Sequence, residues 1–519
     1  MQPLIAALLA VSLLSTPCLF ADEPSTPKSN TKSVEGTWQG SLKVGVMELR
    51  LAFKISKKPN GSLTATMDSI DQGAKDIPVD DVTWHDPDLK LELKKIPGTG
   101  IFEGKASKDY SEFEGNWKQG GKSFPLTIKR VPKATELKRP QEPKKPYPYG
   151  EEEVTYDNPR AGVKLAGTLT VPKGEGPFPA VLLIAGSGPN SRDEVVFGHK
   201  VFLVLADYLT RRGLVVLRSD KRGIGKSKGN HELATSADFA DDARAGIEYL
   251  KTRKEVDPHK IGLVGHSEGG IVAPMVAARS KDVAFIVLMA GTGVTGEEVL
   301  YRQGRDILKA MGTDDKGLAK QRSIQEKMFS VLKREKDRAA MEKKLNEVVA
   351  QETALLTGDE KKKAESQKTA MEAQVKALLS PWMRYFLTFD PQSVLDLVQC
   401  PVLAINGALD LQVAADVNLP AIEHALRAGG NRDVTVKELP NLNHLFQTSK
   451  TGALSEYGQI EETISPTALA LMGDWIESRA NRPRDVSSVR AESQYEEEVT
   501  PRRLSRLRSR LHPLRLRPR

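Results

Sequence analysis

The pentapeptide Gly265-His266-Ser267-Glu268-Gly269 has the pattern G-x-S-x-G, in which a serine stands between glycines. Residues 260–264 form an apolar run that predicts a strand before it, and the apolar run 270–278 predicts a helix after it. A sharp strand-to-helix turn of this kind exposes the serine hydroxyl at the carboxyl end of a sheet. The glycines are needed because the turn is tight and the backbones approach closely. Ser267 is therefore predicted to be a nucleophile.

A serine hydroxyl becomes a good nucleophile only when a base takes its proton. His444 is predicted to be that base, because it is the histidine that falls just after a late predicted strand. The acid is expected between the two in the chain, since this type of site orders its triad as serine, acid and histidine. Asp410, which follows the predicted strand 401–406, is the predicted acid. Asp416 is the alternative, and its position is more typical of the start of a helix.

The tetrahedral intermediate of acyl transfer needs two hydrogen-bond donors for its negatively charged oxygen. The backbone N–H of Glu268, next to the nucleophile, is predicted to be one of them. The second is predicted in the loop Gly186-Ser187-Gly188-Pro189, with the N–H of Ser187 as our choice and that of Gly188 as the competing candidate. The side chain of Glu268 is expected to face the surface or a lid rather than to act in catalysis.

From residue 151 onward, near-continuous apolar runs alternate with helical patterns, which predicts a doubly wound, mostly parallel α/β sheet over 151–480. Residues 296–389 interrupt this alternation with two long helical patterns, 297–311 and 322–356. They predict a helical cap over the strand ends, or else a solvated helical excursion. The aromatic residues at the exit of this segment are expected to pack rather than to touch substrate; they are Trp382, Tyr385, Phe386 and Phe389.

Residues 33–132 show short alternating runs separated by turn signals, which predicts a small antiparallel sheet or barrel. Residues 133–150 are rich in proline and lysine and are predicted to be an extended linker. Residues 1–21 have the build of a signal peptide, which predicts a secreted or periplasmic protein without a transmembrane segment after cleavage. Residues 22–32 are predicted to be a flexible lead-in, and residues 481–519 a basic, disordered tail.

The formal net charge of +8 comes from the end of the chain. Residues 501–519 contain eight arginines and no acidic residue, so +8 − 8 leaves zero for residues 1–500. We therefore expect no nucleic-acid partner. No cluster of His, Cys and carboxylates has the spacing of a metal site, and Cys400 is the one cysteine left after signal cleavage. Neither a metal nor an organic cofactor is implied.

From about Glu151 to Ala480 the chain resembles the α/β-hydrolase superfamily, in particular its serine aminopeptidase-like and monoglyceride-lipase-like enzymes. It is most similar to bacterial exported carboxylesterases with an N-terminal β-domain. Ala185 departs from the pattern, since many relatives have a histidine there. The motifs that carry the resemblance, besides the Ser267 turn, are 185–189 with Arg192-Asp193-Glu194, Asp220-Lys221-Arg222-Gly223-Ile224-Gly225-Lys226-Ser227, Ser380-Pro381-Trp382, Asn406-Gly407 with Asp410, and Asn443-His444.

The resemblance implies hydrolysis of small carboxylic esters through an acyl-enzyme, with Ser267, Asp410 and His444 as the triad. Two alternatives stay open. A serine aminopeptidase would use the same triad and would need an acidic group, such as Glu268 or a lid carboxylate, to hold the free α-amine. A non-catalytic envelope-binding protein would instead recognise glycan or lipid through its β-domain.

Overall fold

The computed structural model describes residues 33–44, 47–96, 98–358 and 368–480. The signal peptide predicted for residues 1–21, the lead-in 22–32 and the basic tail 481–519 lie outside the described residues. In the described part of the chain, no helix combines the length and the apolar character needed to cross a membrane.

The first sheet consists of nine antiparallel strands in the order β4-β3-β2-β1-β9-β8-β7-β6-β5. Buried and exposed residues alternate along its strands, because successive side chains point to opposite faces. The sheet curls until β3 and β5 come into contact, so the expectation of a small all-β domain is confirmed. Its strands are β1 (Gly36–Val44), β2 (Met47–Lys57), β3 (Leu63–Ser69), β4 (Ala74–Val79), β5 (Asp81–His85), β6 (Asp88–Leu93), β7 (Gly100–Ala106), β8 (Glu112–Gln119) and β9 (Lys122–Val131).

Large aromatic side chains fill the interior of this curled sheet. Trp38 and Phe113 are fully buried, and their rings meet edge to face with centroids 4.5 Å apart. The indole N–H of Trp38 donates to the carbonyl of Val34 at 2.8 Å, so the polar end of this buried ring is satisfied. The first sheet therefore has a core of its own.

The second sheet has eight strands in the order β10-β11-β15-β12-β16-β17-β18-β19. All neighbouring pairs from β15 to β19 run parallel, whereas β11 runs antiparallel to both of its neighbours. This is the mostly parallel α/β-hydrolase sheet that was expected. The strands are β10 (Gly150–Asn158), β11 (Val163–Val171), β12 (Phe178–Ile184), a short hairpin of β13 (Val195–Val196) and β14 (His199–Lys200), β15 (Val215–Ser219), β16 (Val256–His266), β17 (Val283–Met289), β18 (Val402–Gly407) and β19 (Val434–Leu439).

Helices cover both faces of this sheet and bury two separate apolar clusters. The strand order reverses beside β12, and open α/β sheets bind ligands outside the carboxyl ends of their strands at such a point. The helices are α1 (Val201–Arg211), α2 (Ser236–Lys251), α3 (Gly269–Ala277), α4 (Gly296–Ala310), α5 (Asp315–Arg334), α6 (Arg338–Ala354), α7 (Lys368–Leu378), α8 (Pro381–Thr388), α9 (Gln392–Leu395), α10 (Ala415–Ala428), α11 (Leu454–Tyr457) and α12 (Pro466–Ala480).

The helical segment between β17 and β18 differs from the sequence prediction in one respect. The expected single helix over 322–356 is wrong, because the chain leaves the helix at Glu335 and starts α6 at Arg338. The side chain of Asp337 accepts the backbone N–H of Ala340 and so caps the new helix. As a result, the apolar faces of α5 and α6 pack against each other around Met328.

The Pro/Lys-rich segment between the two sheets is anchored to the larger one by Arg139. Its guanidinium donates to the carbonyls of Phe197 and Gly198 at 3.2 Å. It also donates to the carbonyls of Gly458 and Ile460 at 3.1 and 2.8 Å. One side chain of the linker thus joins two loops that lie about 260 residues apart in the sequence.

Candidate active site

Ser267 lies at a tight turn between β16 and α3, with a φ of 52°. Such a value is uncommon for a residue with a side chain and stores about 1–3 kcal/mol of strain. A Cβ on Gly265 would lie 2.0 Å from the carbonyl oxygen of Gly269, so this turn tolerates no side chain there. The backbone N–H of Ser267 donates to the carbonyl of Met289 at 2.8 Å. The strained serine is thereby held at the carboxyl end of the central strands.

Asp410 and His444 form a buried pair at the same edge of the sheet. Asp410 Oδ2 lies 2.7 Å from His444 Nδ1. The other carboxylate oxygen, Oδ1, accepts the backbone N–H groups of Gln412 and Val413 at 2.8 and 2.9 Å. The carboxylate is therefore fixed in place. It accepts the Nδ1 hydrogen and leaves Nε2 free to take a proton. Asp416, the alternative acid, lies in the first turn of α10 and pairs with Arg302 instead.

His266, the last residue of β16, connects the Ser267 turn to His444. His266 Nε2 lies 3.0 Å from the carbonyl oxygen of His444, and the two imidazole centroids are 4.9 Å apart. Within the described residues, no hydrogen bond joins the Ser267 hydroxyl to His444. Catalytic hydrogen bonds are often long before substrate binds. The structure thus pairs Asp410 with His444 and brings His266, the residue before the strained serine, into contact with His444.

The loop after β12 lies against Ser267. A Cβ on Gly186 would lie 3.2 Å from the Cβ of Ser267, so the backbone of this loop approaches the serine closely. Among the described residues, the N–H groups of Ser187, Gly188 and Glu268 donate to no protein acceptor. Backbone donors without a partner beside a nucleophile are the arrangement that an oxyanion requires.

Glu268 is buried rather than on the surface, and its side chain contacts the helical segment, which is the lid-side half of the expectation. Its side chain is 2% exposed and makes three polar contacts. Oε2 pairs with Lys221 Nζ at 2.8 Å. Oε1 accepts the hydroxyl of Ser236 and the indole N–H of Trp382, both at 2.6 Å. Because Trp382 belongs to α8, this carboxylate also connects the helical segment to the nucleophile turn. Trp382 additionally stacks on Phe386, with ring centroids 5.0 Å apart.

Glu194 also lies at the site, although the sequence indicated no role for it beyond the motif Arg192-Asp193-Glu194. Its Oε1 accepts the backbone N–H of Gly186 at 2.6 Å and lies 2.9 Å from His266 Nδ1. Burial lowers the pKa of His266, but the charge and hydrogen bond of Glu194 raise it more, so the net pKa lies above its usual value. Glu194 has a φ of 47°. This strained acidic residue connects the loop after β12 to His266, the residue before Ser267.

The charged loop 220–227 contacts the site through Lys221 and is itself held by ion pairs. Asp220 pairs with Arg192 at 2.7 Å and also accepts the backbone N–H of Lys226. Burial raises the pKa of Asp220, but these contacts lower it by more, so the net pKa lies below its usual value. Arg222 pairs with Asp242 of α2 at 2.7 Å. Within the described residues, no three His, Cys, Asp or Glu side chains converge as a metal site would require.

Part of the sequence is similar to proteins that are named as an esterase and a putative hydrolase. Esterase EstD of Thermotoga maritima is 38% identical over 139 residues, which is 27% of this chain and 33% of the relative. The putative hydrolase YtaP of Bacillus subtilis is 30% identical over 122 residues, or 20% of this chain and 41% of the relative. The chain thus matches about a third to two-fifths of the length of these curated relatives.

Solved structures that match the chain are more distant. An esterase of Pyrococcus furiosus, PF2001, is 13% identical with a TM-score of 0.38, over 67% of this chain and all of the other. The hypothetical protein PA2218 of Pseudomonas aeruginosa is 15% identical with a TM-score of 0.41, over 67% of this chain and 98% of the other. The fold assignment therefore rests on the strand order described above.

A family model covers the region that contains the nucleophile turn. Residues 161–428, just over half of the chain, match the model of the X-Pro dipeptidyl-peptidases of the S15 family. This region runs from β11 to the end of α10, and it includes Ser267 and Asp410. The chain therefore belongs to the S15 family of α/β-fold hydrolases.

Proposed function

We propose that this protein is a serine hydrolase that cleaves carboxylic esters through an acyl-enzyme. The observation that carries the proposal is the buried Asp410–His444 pair, with Oδ2 and Nδ1 2.7 Å apart, next to a serine held at a φ of 52°. Strained backbone of this kind persists where the surrounding structure fixes it, and it is concentrated at active sites.

In the proposed mechanism, Ser267 Oγ attacks the ester carbonyl while His444 Nε2 takes the hydroxyl proton. Asp410 holds the imidazole in the required tautomer and stabilises its charged form. The N–H groups of Ser187 and Glu268 bind the oxyanion of the tetrahedral intermediate. His444 then gives the proton to the leaving alcohol. Water attacks the acyl-enzyme with His444 again as base, which releases the acid and restores Ser267.

The contacts of Glu268 favour an ester over a substrate with a free α-amine. An aminopeptidase needs a carboxylate that is available to the amine of its substrate. Glu268 already pairs with Lys221 and accepts hydrogen bonds from Ser236 and Trp382. A second cation would have to displace one of these buried partners, which costs several kcal/mol for a charged pair. The relative called an esterase supports the same choice.

The family match supports a second candidate, a peptidase that releases Xaa-Pro dipeptides. The same triad would act on an amide bond, with His444 protonating the leaving amine. This candidate differs from the first in the bond cleaved and in the need to bind an α-amine and a proline ring. It is therefore tested with the same protein and a different chromogenic substrate.

The test compares wild-type protein, Ser267→Ala and the matched control Ser280→Ala, a loop serine that contacts Asp282. Substrates are p-nitrophenyl acetate, butyrate and octanoate, together with the p-nitroanilides of alanine and alanyl-proline. We expect ester turnover by wild type and by Ser280→Ala, and its loss in Ser267→Ala. Turnover that survives in Ser267→Ala would refute the nucleophile.

Turnover of alanyl-proline p-nitroanilide without ester turnover would replace the first candidate by the second. A fluorophosphonate probe, which labels activated serines, gives an independent reading. We expect it to label wild-type protein and not Ser267→Ala. An unlabelled, inactive wild-type protein would favour the non-catalytic binding protein instead.

A further inference from the structure

Lys221 is a buried cation next to the candidate oxyanion hole. Its side chain is 8% exposed. The ammonium donates to the carbonyl of Gly186 at 2.5 Å and to Glu268 Oε2 at 2.8 Å, and it lies 4.2 Å from the ring centroid of Phe239. Two acceptors and an aromatic face thus surround the charge. A buried charge persists only when it is compensated in this way.

The carbonyl that Lys221 contacts belongs to the peptide unit whose N–H is the proposed oxyanion donor. Gly186 C=O and Ser187 N–H are the two ends of one trans peptide and point in opposite directions. Asn190 Nδ2 donates to the same carbonyl at 2.8 Å, so two donors fix the orientation of this peptide. Hydrogen bonds to a carbonyl also polarise the amide and strengthen its N–H as a donor.

The other partner of Lys221 belongs to the residue that supplies the second donor. Glu268 presents its backbone N–H beside Ser267, while its carboxylate binds the ammonium. The two proposed donors come from different loops, after β12 and after β16, and the Lys221 ammonium contacts both loops. Because the pair is neutral overall, its effect on a developing oxyanion comes from position and polarisation rather than from net charge.

We propose that Lys221 is a positioning residue for ester hydrolysis, acting through the Gly186–Ser187 peptide and through Glu268 to hold both oxyanion donors in place. The proposal rests on the function proposed above. It makes one prediction that a purely structural ion pair would not make. Loss of Lys221 weakens binding of the tetrahedral transition state much more than binding of the substrate.

The test uses the full-length protein with Lys221→Met and the control Lys226→Met. Lys226 is on the same loop, but its side chain is exposed and its ammonium contacts Glu153 on the surface. The readouts are kcat and KM for p-nitrophenyl butyrate and the inhibition constant of an alkyl trifluoromethyl ketone. This ketone forms a tetrahedral adduct with serine and so needs the oxyanion hole.

We expect Lys221→Met to lower kcat and inhibitor affinity by about 10- to 100-fold while KM changes less than about 3-fold. This is below the loss of about 100- to 1,000-fold seen when an oxyanion donor is deleted. Lys226→Met should resemble wild type in every constant. Equal weakening of substrate and inhibitor, or unchanged inhibitor affinity, would overturn the proposal.

A second variant keeps the test decisive if Lys221→Met does not fold. Asn190→Ala removes the neutral donor to the same carbonyl, together with its hydrogen bond to the carbonyl of Ser187, and leaves no buried charge unpaired. We expect the same pattern on a smaller scale, about 3- to 10-fold in kcat and inhibitor affinity. Parallel changes in KM and inhibitor affinity would overturn the proposal here too. Activity that survives Ser267→Ala would instead refute the proposed function, so the two failures are distinguishable.

Discussion

Replacing Glu194 by glutamine should remove the charge that raises the pKa of His266 inside the fold. His266 Nε2 faces the carbonyl oxygen of His444, which can only accept, so Nε2 carries a hydrogen. Nδ1 then shares its proton with Glu194 Oε1 at 2.9 Å. Glutamine keeps an oxygen for the N–H of Gly186 but loses the negative charge. His266 would then be buried either as an unpaired cation or in its neutral form.

The size of the effect follows from these contacts. Removing one partner of a buried ion pair costs about 3–5 kcal/mol. We use the low end of this free-energy range, about 3 kcal/mol, because the hydrogen bond from the backbone N–H of Gly186 survives the substitution. A loss of 1 kcal/mol lowers Tm by about 2–4 °C in domains of 150–250 residues. Because the hydrolase region, residues 151–480, is longer than these domains, about 2 °C per kcal/mol applies, and we expect Glu194→Gln to lower the Tm of its transition by about 6 °C at pH 5.5.

The pH dependence of this loss has a definite sign. Glu194 raises the folded-state pKa of His266 above its usual value. A raised pKa stabilises the fold fully below the unfolded value of about 6.5, and the gain is lost as pH rises through the folded-state pKa. The Tm difference between wild type and Glu194→Gln should therefore be largest at pH 5.5 and shrink towards pH 10.

The assay is thermal unfolding followed by circular dichroism at pH 5.5, 7 and 10. The matched control is Glu423→Gln, which removes an exposed carboxylate that pairs with Arg427 one turn away on α10. Such surface pairs contribute about 0.3–0.5 kcal/mol, so the control should follow wild type at each pH. A Tm difference for Glu194→Gln that stays constant or grows with pH would refute the reasoning.

Two further predictions concern the groups around the nucleophile. Asp410→Asn should lower kcat for p-nitrophenyl butyrate by about 10⁴-fold with little change in KM, because the amide favours the wrong tautomer of His444; a loss below 10-fold would contradict the assigned acid. Trp382→Phe keeps an aromatic ring but removes the N–H that Glu268 accepts. It should lower the free energy of unfolding by about 1–3 kcal/mol in urea denaturation, and an unchanged midpoint would show that this bond contributes nothing.

The nucleophile turn could be predicted from the sequence because every part of it is local. The strand, the glycines and the helix around Ser267 lie within about 20 consecutive residues. Asp410 and His444 could also be predicted, since each follows a strand and the chain order of the triad is restricted. Their mutual distance, by contrast, is a property of the folded sheet.

The surroundings of Glu268 could not be predicted, because its partners come from distant segments. Lys221 lies 47 residues away and Trp382 lies 114 residues away. Pairings over such separations leave no periodic pattern in one sequence. The expectation that Glu268 faces the surface or a lid reflected the usual behaviour of glutamate, which is rarely buried unless it is paired.

The break between α5 and α6 did leave a signal in the sequence. Asp337 is a favoured N-cap residue, and it stands just before Arg338, where the second helix begins. The charged residues around it fit either one long helix or two short ones. Packing decides between them, because the turn lets the apolar face of α6 fold back onto α5.

The contacts of Arg139 in the linker affect where the chain can be cut to separate its two sheets. Composition marks residues 133–150 as a connector, yet Arg139 bonds four carbonyls on two loops of the larger sheet. One of these loops directly follows Tyr457, the last residue of α11, whose hydroxyl accepts the backbone N–H of His444. A chain that begins at Gly150 would leave those carbonyls without this partner, close to the candidate base. Cutting the chain at the boundary seen in the sequence would therefore remove contacts of the larger sheet. A fragment of the larger sheet should include Arg139 if the contacts around His444 are to be preserved.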